Sequence, residues 1–250
     1  MPISFYDSMK RHVEEISIAN IPIYRYMDMD GVIPTLQNQQ LRLTRFDSSP
    51  NDPHEGKLSP GFTSVLDEVN EGIAKDSGIP NFGDDQIKQW AETTNREKCY
   101  FVSWSLHSPL KTEMWNKYTK TSEACAFEMT PEHLQSSIKD ELDIASIGET
   151  FYQDPDNRSG SSIDPTRELF RKHPDHSVDK EVRLVLDTRW APSKFDNPTG
   201  PDFPKYAYLN FDLSNIERIY VKKYAAKDTY FKVFALVKMY GLNIEIVLLT

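Results

Sequence analysis

Apolar and polar residues follow two periodicities along the chain, and segments of the two kinds alternate. Segments in which apolar positions recur every three or four residues predict helices, whereas alternating or continuous β-branched and aromatic residues predict strands. Helices are predicted at residues 5–16, 30–40, 63–97, 109–119, 131–142, 167–173 and 226–241. Strands are predicted at residues 21–27, 41–46, 99–106, 124–130, 179–187, 206–213, 216–221 and 243–250.

The order of these segments favours the α+β class. Helices and strands are mixed without the regular strand–helix–strand repeat of a doubly wound sheet, and no internal repeat divides the chain. A length of 250 residues fits a single domain that spans residues 1–250. Within it we expect residues 63–97 to form a helical insertion. Residues 154–166 and 191–205, rich in proline and polar side chains, are expected to form flexible loops.

The composition indicates an ordered cytoplasmic protein. Thirteen Phe, 12 Tyr and four Trp offset a hydrophobic share of 38% and exclude full disorder. The sequence has no apolar run long enough for a transmembrane helix, and residues 1–15 lack the pattern of a secretory signal. Cys99 and Cys125 are therefore expected to be reduced, buried thiols. A net charge of −9 disfavours non-specific binding to nucleic acid, but it is compatible with a nucleotide ligand or with one RNA segment bound at a local site.

Several common catalytic motifs are missing from the sequence. It contains no GxxxxGK[ST] phosphate loop, no GxGxxG dinucleotide motif and no GxSxG hydrolase motif. His173 and His176 have no clustered partners for zinc, so no metal site is predicted. Asp179, Glu181 and Arg183 resemble the acid pair and lysine of a metal-dependent nuclease only loosely, because arginine replaces the lysine.

Three features on predicted strands remain as candidates for a catalytic or binding role. Arg25 lies in the middle of an early apolar strand. Ser103 and Ser105 project from one face of the next strong strand, because residues two apart share a side. Asp179 and Glu181 likewise share a face where another strand begins. Each feature also has a structural alternative: an arginine that extends along the surface to solvent, solvent-facing serines, and an exposed ion pair of Glu181.

Together these residue types suit cleavage of the nicotinamide–ribose bond of NAD. The reaction passes through an oxocarbenium-like sugar, which a carboxylate stabilises while a hydroxyl orients that carboxylate. In this interpretation Glu181 is the catalytic carboxylate, and Asp179 accepts the proton of the acceptor. Ser103 and Ser105 position Glu181, and the guanidinium fork of Arg25 holds the pyrophosphate.

This set resembles the arginine–serine–glutamate group of ADP-ribosyltransferases. That group carries an arginine on its first core strand, a Ser-x-Ser motif on a later strand and a [Glu/Gln/Asp]-x-Glu motif at the start of another. The chain has its matching residues in the same order. Asp179 departs from the commoner Glu or Gln, and Trp104 replaces the usual threonine between the serines. The resemblance implies an ADP-ribosyltransferase-like fold, with a split mixed or antiparallel sheet flanked by helices, and NAD as the substrate.

A longer stretch, from residue 24 to residue 186, is similar to a large and mostly uncharacterised prokaryotic family. Its members carry an Asn-Asp-Pro-x-Glu loop, a Met-Trp-x-x-Tyr segment and a Glu-x-Arg strand, and they often accompany phage-defence or toxin–antitoxin loci. The matching residues are Asn51, Asp52, Pro53, Glu55, Met114, Trp115, Tyr118, Glu181 and Arg183. This resemblance implies a role in cellular defence, with a cognate antitoxin as a further partner.

Asn51, Trp115 and Tyr118 are the remaining candidate ligands of NAD. For Trp115 and Tyr118, three residues apart on one helical face, core packing is the alternative to an aromatic wall that stacks on nicotinamide or adenine. The Asn-Asp-Pro run around Asn51 is also explained by a turn, or by Asp52 at the start of a helix.

The sequence therefore predicts a cytoplasmic, NAD-dependent ADP-ribosyltransferase that modifies a macromolecule, either a protein or a nucleic acid. We expect it to be the toxin of an anti-phage or toxin–antitoxin system, with no metal and no membrane partner. Two alternatives stay open: a non-catalytic antitoxin or sensing module on the same fold, and a metal-dependent nuclease.

Overall fold

The computed structural model describes most of the chain. The described residues are 18–49, 55–77, 84–138, 144–154, 166–190, 204–223, 225 and 227–250. The predicted helix at 5–16, Asn51 with its neighbours Asp52 and Pro53, and most of the predicted loops at 154–166 and 191–205 lie outside them. Of the helices within these ranges, none is both long and apolar enough to cross a membrane.

Within the described ranges the chain forms eleven strands and six helices. The strands are β1 (Ile23–Asp28), β2 (Gln40–Arg45), β3 (Cys99–Ser105), β4 (Ala124–Met129), β5 (Ala145–Glu149), β6 (Phe151–Tyr152), β7 (Arg171–Lys172), β8 (Glu181–Asp187), β9 (Tyr206–Asn210), β10 (Arg218–Val221) and β11 (Glu245–Leu248). The helices are α1 (Met29–Asn38), α2 (Pro60–Ser77), α3 (Asp84–Lys98), α4 (Thr112–Tyr118), α5 (Pro131–Ser137) and α6 (Lys227–Met239).

Nine of the strands form one mixed sheet. Its main path runs β11-β10-β4-β1-β3-β2-β9, while β8 pairs with β3 and carries β5 on its far side. The pairing of β10 with β11 is parallel, and the other pairings in this sheet are antiparallel. β6 and β7 form a separate parallel pair. The predicted α+β class, with a mixed sheet flanked by helices, is confirmed.

The sheet divides at β3. Along one edge β3 pairs with β8 over its full length. On the other edge β1 pairs only at Ser105, and β2 pairs only at Tyr100 and Phe101. Residues 102–104 therefore have no partner there among the described strands, and β1 and β2 diverge from each other. We call the V-shaped opening between them the split cleft; α1 connects its two walls.

Alternation along β3 sends its side chains to two different faces of the sheet. Val102 and Trp104 are buried in the main apolar core, together with residues of α1, α5 and α6. Ser103 and Ser105 point to the opposite face, where a smaller apolar cluster is built around Tyr26 and Trp115. This second face carries the candidate site.

Four segments differ from the predictions, and one of them is the short strand β6, which was not predicted. Residues 167–173 form a short 3-10 turn and then β7 in place of a helix, and His173 has the extended backbone expected of a residue that precedes proline. β5 was not predicted, because a glycine and small residues dilute its apolar alternation. The strand predicted at 179–187 begins only at Glu181: a 3-10 helix occupies Pro174–Asp179, and Lys180 has a φ of 44°.

Candidate active site

Ser103 and Glu181 meet across the β3–β8 pair. The register places Ser105 opposite Glu181 and Ser103 opposite Arg183, so all four side chains share one face of the sheet. The Ser103 hydroxyl donates to Glu181 Oε2 at 3.1 Å. The hydrogen bonds of Ser105 go elsewhere: its hydroxyl donates to the backbone carbonyl of Asp179 at 3.0 Å and accepts from His107 N–H at 3.1 Å. Ser103 thus orients the Glu181 carboxylate, whereas Ser105 links the backbone at Asp179 to the backbone at His107.

Asp179 reaches the site by a different route from the predicted one. It ends a 3-10 helix, so it does not share a strand face with Glu181. Its fully buried carboxylate pairs with Lys117 and lies 3.4 Å from Lys172 Nζ. Proton transfer from an acceptor to Asp179 therefore requires Lys117 to move away first.

Lys172 is the site residue that sequence reasoning missed. Its Nζ lies 2.7 Å from Glu181 Oε1, and its side chain is nearly buried. Arg183 Nε lies 3.4 Å from the other oxygen, Oε2. Burial alone would raise the pKa of Glu181, but Arg183 and Lys172 together lower it to about 2. Glu181 is therefore ionised at neutral pH and suited to stabilise positive charge.

A second buried glutamate, Glu55, forms an ion pair with Arg183. Arg183 is completely buried, its Nη2 contacts Glu55, and its Nη1 donates to the Leu169 carbonyl at 2.9 Å. Glu55 is the last residue of the Asn-Asp-Pro-x-Glu sequence. It lines the same cavity as Glu181 and lies 3.9 Å from Lys172 Nζ, in addition to its contact with Arg183. Asn51, the predicted ligand at the start of that sequence, lies outside the described residues.

Arg25 spans the split cleft. It donates to the carbonyls of Ser103, at 3.5 Å, and of Arg42, at 3.4 Å, on the two sides of the opening. Burial, followed by repulsion from Arg42, lowers the pKa of Arg25. None of the described carboxylates forms an ion pair with it. A cation held in a cleft without a counter-charge is suited to bind an anion.

The two predicted aromatic ligands lie in different surroundings. Tyr118 borders the cleft, with its hydroxyl 3.5 Å from Glu181 Oε1 and its ring stacked on Tyr26. Burial and the charge of Glu181 raise the pKa of Tyr118, so it remains a phenol. Trp115 is only 3% exposed, packs edge-on against Tyr26 and donates to the Pro109 carbonyl at 2.7 Å. Core packing therefore describes the surroundings of Trp115, and its part in an aromatic wall stays a prediction.

Two adjoining cavities fill the split cleft. The first, of about 490 Å³, is lined by Glu181, Ser103 and Lys172, and we call it the Glu181 lobe. The second, of about 420 Å³, extends towards α1, and we call it the α1 lobe. Arg25, Tyr26, Arg42 and Tyr118 line both cavities. In the described part of the chain, no group of three or more His, Cys, Asp or Glu side chains could hold a metal ion.

Comparisons with known proteins give only a distant likeness. No protein-family model matches the chain, and no curated protein matches it either. Among solved structures, it is similar to DarT of Thermus sp. 2.9 in complex with NAD⁺, with a TM-score of 0.40 and 10% identity over 92% of this chain and 95% of that chain. The complexes of the same protein with carba-NAD⁺ and with ADP-ribosylated ssDNA give TM-scores of 0.35 at 11% identity. Each covers 92% of this chain, against 95% and 94% of the other. Similarity at this level is too distant to assign a function.

Proposed function

We propose that the chain is an ADP-ribosyltransferase that uses NAD as its substrate, with Glu181 as the catalytic carboxylate. The observation that carries this proposal is the hydrogen bond from Ser103 to Glu181 in a cavity that is also lined by Arg25, a cation without an ion-pair partner among the described residues. A fixed negative charge and a fixed positive charge in one cleft match the two charged centres of the reacting dinucleotide, the ribose cation and the pyrophosphate.

The chemistry divides the roles among these residues. The bond between ribose C1′ and nicotinamide breaks, and nicotinamide leaves with the electron pair. The Glu181 carboxylate stabilises the oxocarbenium ion, and the acceptor's nucleophile then bonds to C1′ and loses a proton. Ser103, Lys172 and Arg183 hold the carboxylate in one orientation, so little reorganisation is needed as charge develops. Asp179 is the proposed proton acceptor, once Lys117 has released it.

The acceptor is proposed to be a macromolecule, either a protein or a nucleic acid. We further propose a toxin role in cellular defence, with a cognate antitoxin and a cytoplasmic location, on the family resemblance of the sequence. The nuclease alternative would need Asp179 and Glu181 to share a metal ion. The Lys172 ammonium lies between these two carboxylates, 3.4 Å from one and 2.7 Å from the other, which favours the transferase.

Loss of the Arg25 guanidinium is expected to abolish stabilisation by NAD. At a hundredfold excess over Kd, a ligand that binds only the folded state adds about 2.7 kcal/mol to the free energy of unfolding. Arg25→Ala should remove this gain while the unliganded protein still folds, as measured by thermal denaturation with and without NAD. Arg218→Ala, which alters an arginine on β10 that pairs with Glu128 and Glu245, is the control and should keep the NAD effect.

Equal stabilisation of wild type and Arg25→Ala would remove Arg25 from the site. No stabilisation of either protein would contradict NAD binding altogether. Incubation with labelled NAD in a lysate then tests transfer, because label on a macromolecule supports the transferase. Magnesium-dependent cleavage of nucleic acid without NAD supports the nuclease. Neither labelling nor cleavage, together with tight binding to a product of a neighbouring gene, supports the non-catalytic module.

Ser103→Ala is expected to slow NAD turnover by about 10- to 100-fold. The lost hydrogen bond goes to a charged carboxylate, and such bonds are worth roughly 1.5–3 kcal/mol. Steady-state kinetics should show the loss in kcat, because the hydroxyl orients Glu181 without contacting the ground-state pyrophosphate. Ser137→Ala on α5, a buried serine bonded to backbone carbonyls away from the cleft, is the matched control. Unchanged kcat in Ser103→Ala would show that Lys172 and Arg183 orient Glu181 without it.

A further inference from the structure

Three consecutive hydrogen bonds join the chain just before β8 to the end of β3. The backbone carbonyls of residues 178–180 accept these bonds, and residues 105–107 donate them. We call residues 178–180 the pre-β8 turn. The three bonds run from His107 Nε2 to Val178 at 2.7 Å, from Ser105 Oγ to Asp179 at 3.0 Å and from Leu106 N to Lys180 at 3.0 Å.

The pre-β8 turn sets where the Asp179 carboxylate lies relative to Glu181. Lys180 has a φ of 44°, in the left-handed region that a lysine rarely adopts, so this backbone conformation depends on the contacts that hold it. Glu181 is fixed independently, because β8 pairs with β3 over its full length and Ser103 donates to the carboxylate. The bonds to the turn therefore act on the position of Asp179 more than on that of Glu181.

The partners of the His107 ring determine which of its nitrogens carries the proton. A carbonyl only accepts, so Nε2 donates to Val178; an ammonium only donates, so Nδ1, 3.1 Å from Lys111 Nζ, is the acceptor. The neutral Nε2–H tautomer satisfies both contacts. The backbone of His107 is fixed as well, since its N–H donates to Ser105 Oγ and its carbonyl accepts from Tyr26 Oη at 2.8 Å. His107 is thus a donor oriented towards the pre-β8 turn.

We propose that His107 is a positioning residue for transfer to the acceptor, because its Nε2–H holds the pre-β8 turn and with it Asp179. This inference rests on the proposed function, in which nicotinamide leaves ribose C1′ with the electron pair, and the acceptor's nucleophile bonds to C1′ and gives its proton to Asp179. Hydrolysis of NAD uses the same Glu181, but the attacking water can lose its proton to the solvent. Loss of the His107 bond should therefore lower transfer more than hydrolysis.

Two activities of the whole protein, measured side by side, test this role. Release of nicotinamide by purified protein in buffer measures hydrolysis, and label from NAD on the macromolecules of a cell lysate measures transfer. His107→Ala should lower transfer by roughly tenfold, the upper end for one lost neutral hydrogen bond, and hydrolysis much less. His107→Gln should restore most of the transfer, since its carboxamide N–H can donate to the same carbonyl. His133→Ala, which removes an imidazole on α5 that contacts Glu217, is the matched control and should change neither activity.

The state of the His107 ring tests the hydrogen bond without either activity. A long-range proton–nitrogen NMR spectrum of the protein in slightly alkaline buffer should show this ring as the Nε2–H tautomer. The signals that disappear in His107→Gln identify it. An Nδ1–H tautomer would mean that the ring does not donate to Val178, and it would overturn the inference.

The outcomes of the activity assays separate this inference from the proposed function. Equal losses of transfer and hydrolysis in His107→Ala would overturn the positioning role alone, because a loss of folded protein lowers both activities together. A His107→Gln variant no more active in transfer than His107→Ala would also overturn that role alone. Wild-type protein that labels no macromolecule would overturn the proposed function, and this inference with it.

Discussion

Replacement of Glu181 by glutamine is expected to lower NAD turnover by about 10²–10³-fold, the usual effect of losing one preorganised electrostatic contact. Glutamine keeps the size and shape of the side chain but removes the charge that offsets the oxocarbenium ion. NAD affinity should change far less, because the ground-state ribose can still form a hydrogen bond with the amide. Steady-state kinetics and NAD titration of the same preparation measure the two effects separately.

The control for this substitution is Glu128→Gln. Glu128 is a glutamate on β4 that is as buried as Glu181 and bonds to Arg218 and Tyr220, outside the split cleft. It should lose stability while keeping full turnover, so it separates loss of chemistry from loss of folded protein. If the protein is a toxin, cells should tolerate Glu181→Gln at wild-type abundance and should not tolerate Glu128→Gln. Full turnover in soluble Glu181→Gln would mean that another carboxylate, or another reaction, is involved.

The low pKa of Glu181 also sets how its contribution depends on pH. Its folded-state pKa of about 2 lies below the ordinary glutamate value of about 4.3. Its ion pairs therefore stabilise the fold fully above about pH 4.3, and this contribution is lost as the pH falls towards 2. A carboxylate with so low a pKa is a weak base, which agrees with action through charge rather than through proton abstraction.

Periodicity was enough to predict the strands that carry the site. The two-residue repeat in β3 correctly placed Ser103 and Ser105 on one face, and the antiparallel register brings Glu181 to the same side. Arg25 was recognisable because a charged residue interrupts an apolar strand. Periodicity could not show that β1 and β2 diverge at β3. The cleft that contains Arg25 exists because of this divergence.

The parts that were missed depend on contacts distant in sequence. Lys172 belongs to a two-residue strand next to Pro174, too short for any pattern, and becomes a site residue only because its ammonium reaches Glu181. Asp179 was assigned to a strand face, but the left-handed backbone at Lys180 turns the chain immediately before β8. A family motif pointed to Glu55, yet its action through Arg183 required the folded structure.

Arg183→Met is expected to destabilise the fold by about 3–5 kcal/mol, the usual effect of removing one partner from a buried ion pair. Arg183 is completely buried between Glu55 and Glu181, and methionine fills much of its volume without its charge. Glu181 retains Lys172 at 2.7 Å, whereas Glu55 keeps only a contact of 3.9 Å with the same ammonium. Most of the loss should therefore come from Glu55. Chemical denaturation at pH 7 measures it.

A double variant identifies that source. Glu55→Gln added to Arg183→Met should restore about 0.5–3 kcal/mol, the range of coupling between residues in contact, because the uncompensated charge is gone. Chemical denaturation of the two single variants and the double variant measures the coupling. Strictly additive effects of the two substitutions would mean that Arg183 stabilises the fold through its packing and its bond to the Leu169 carbonyl, and that Glu55 does not depend on it.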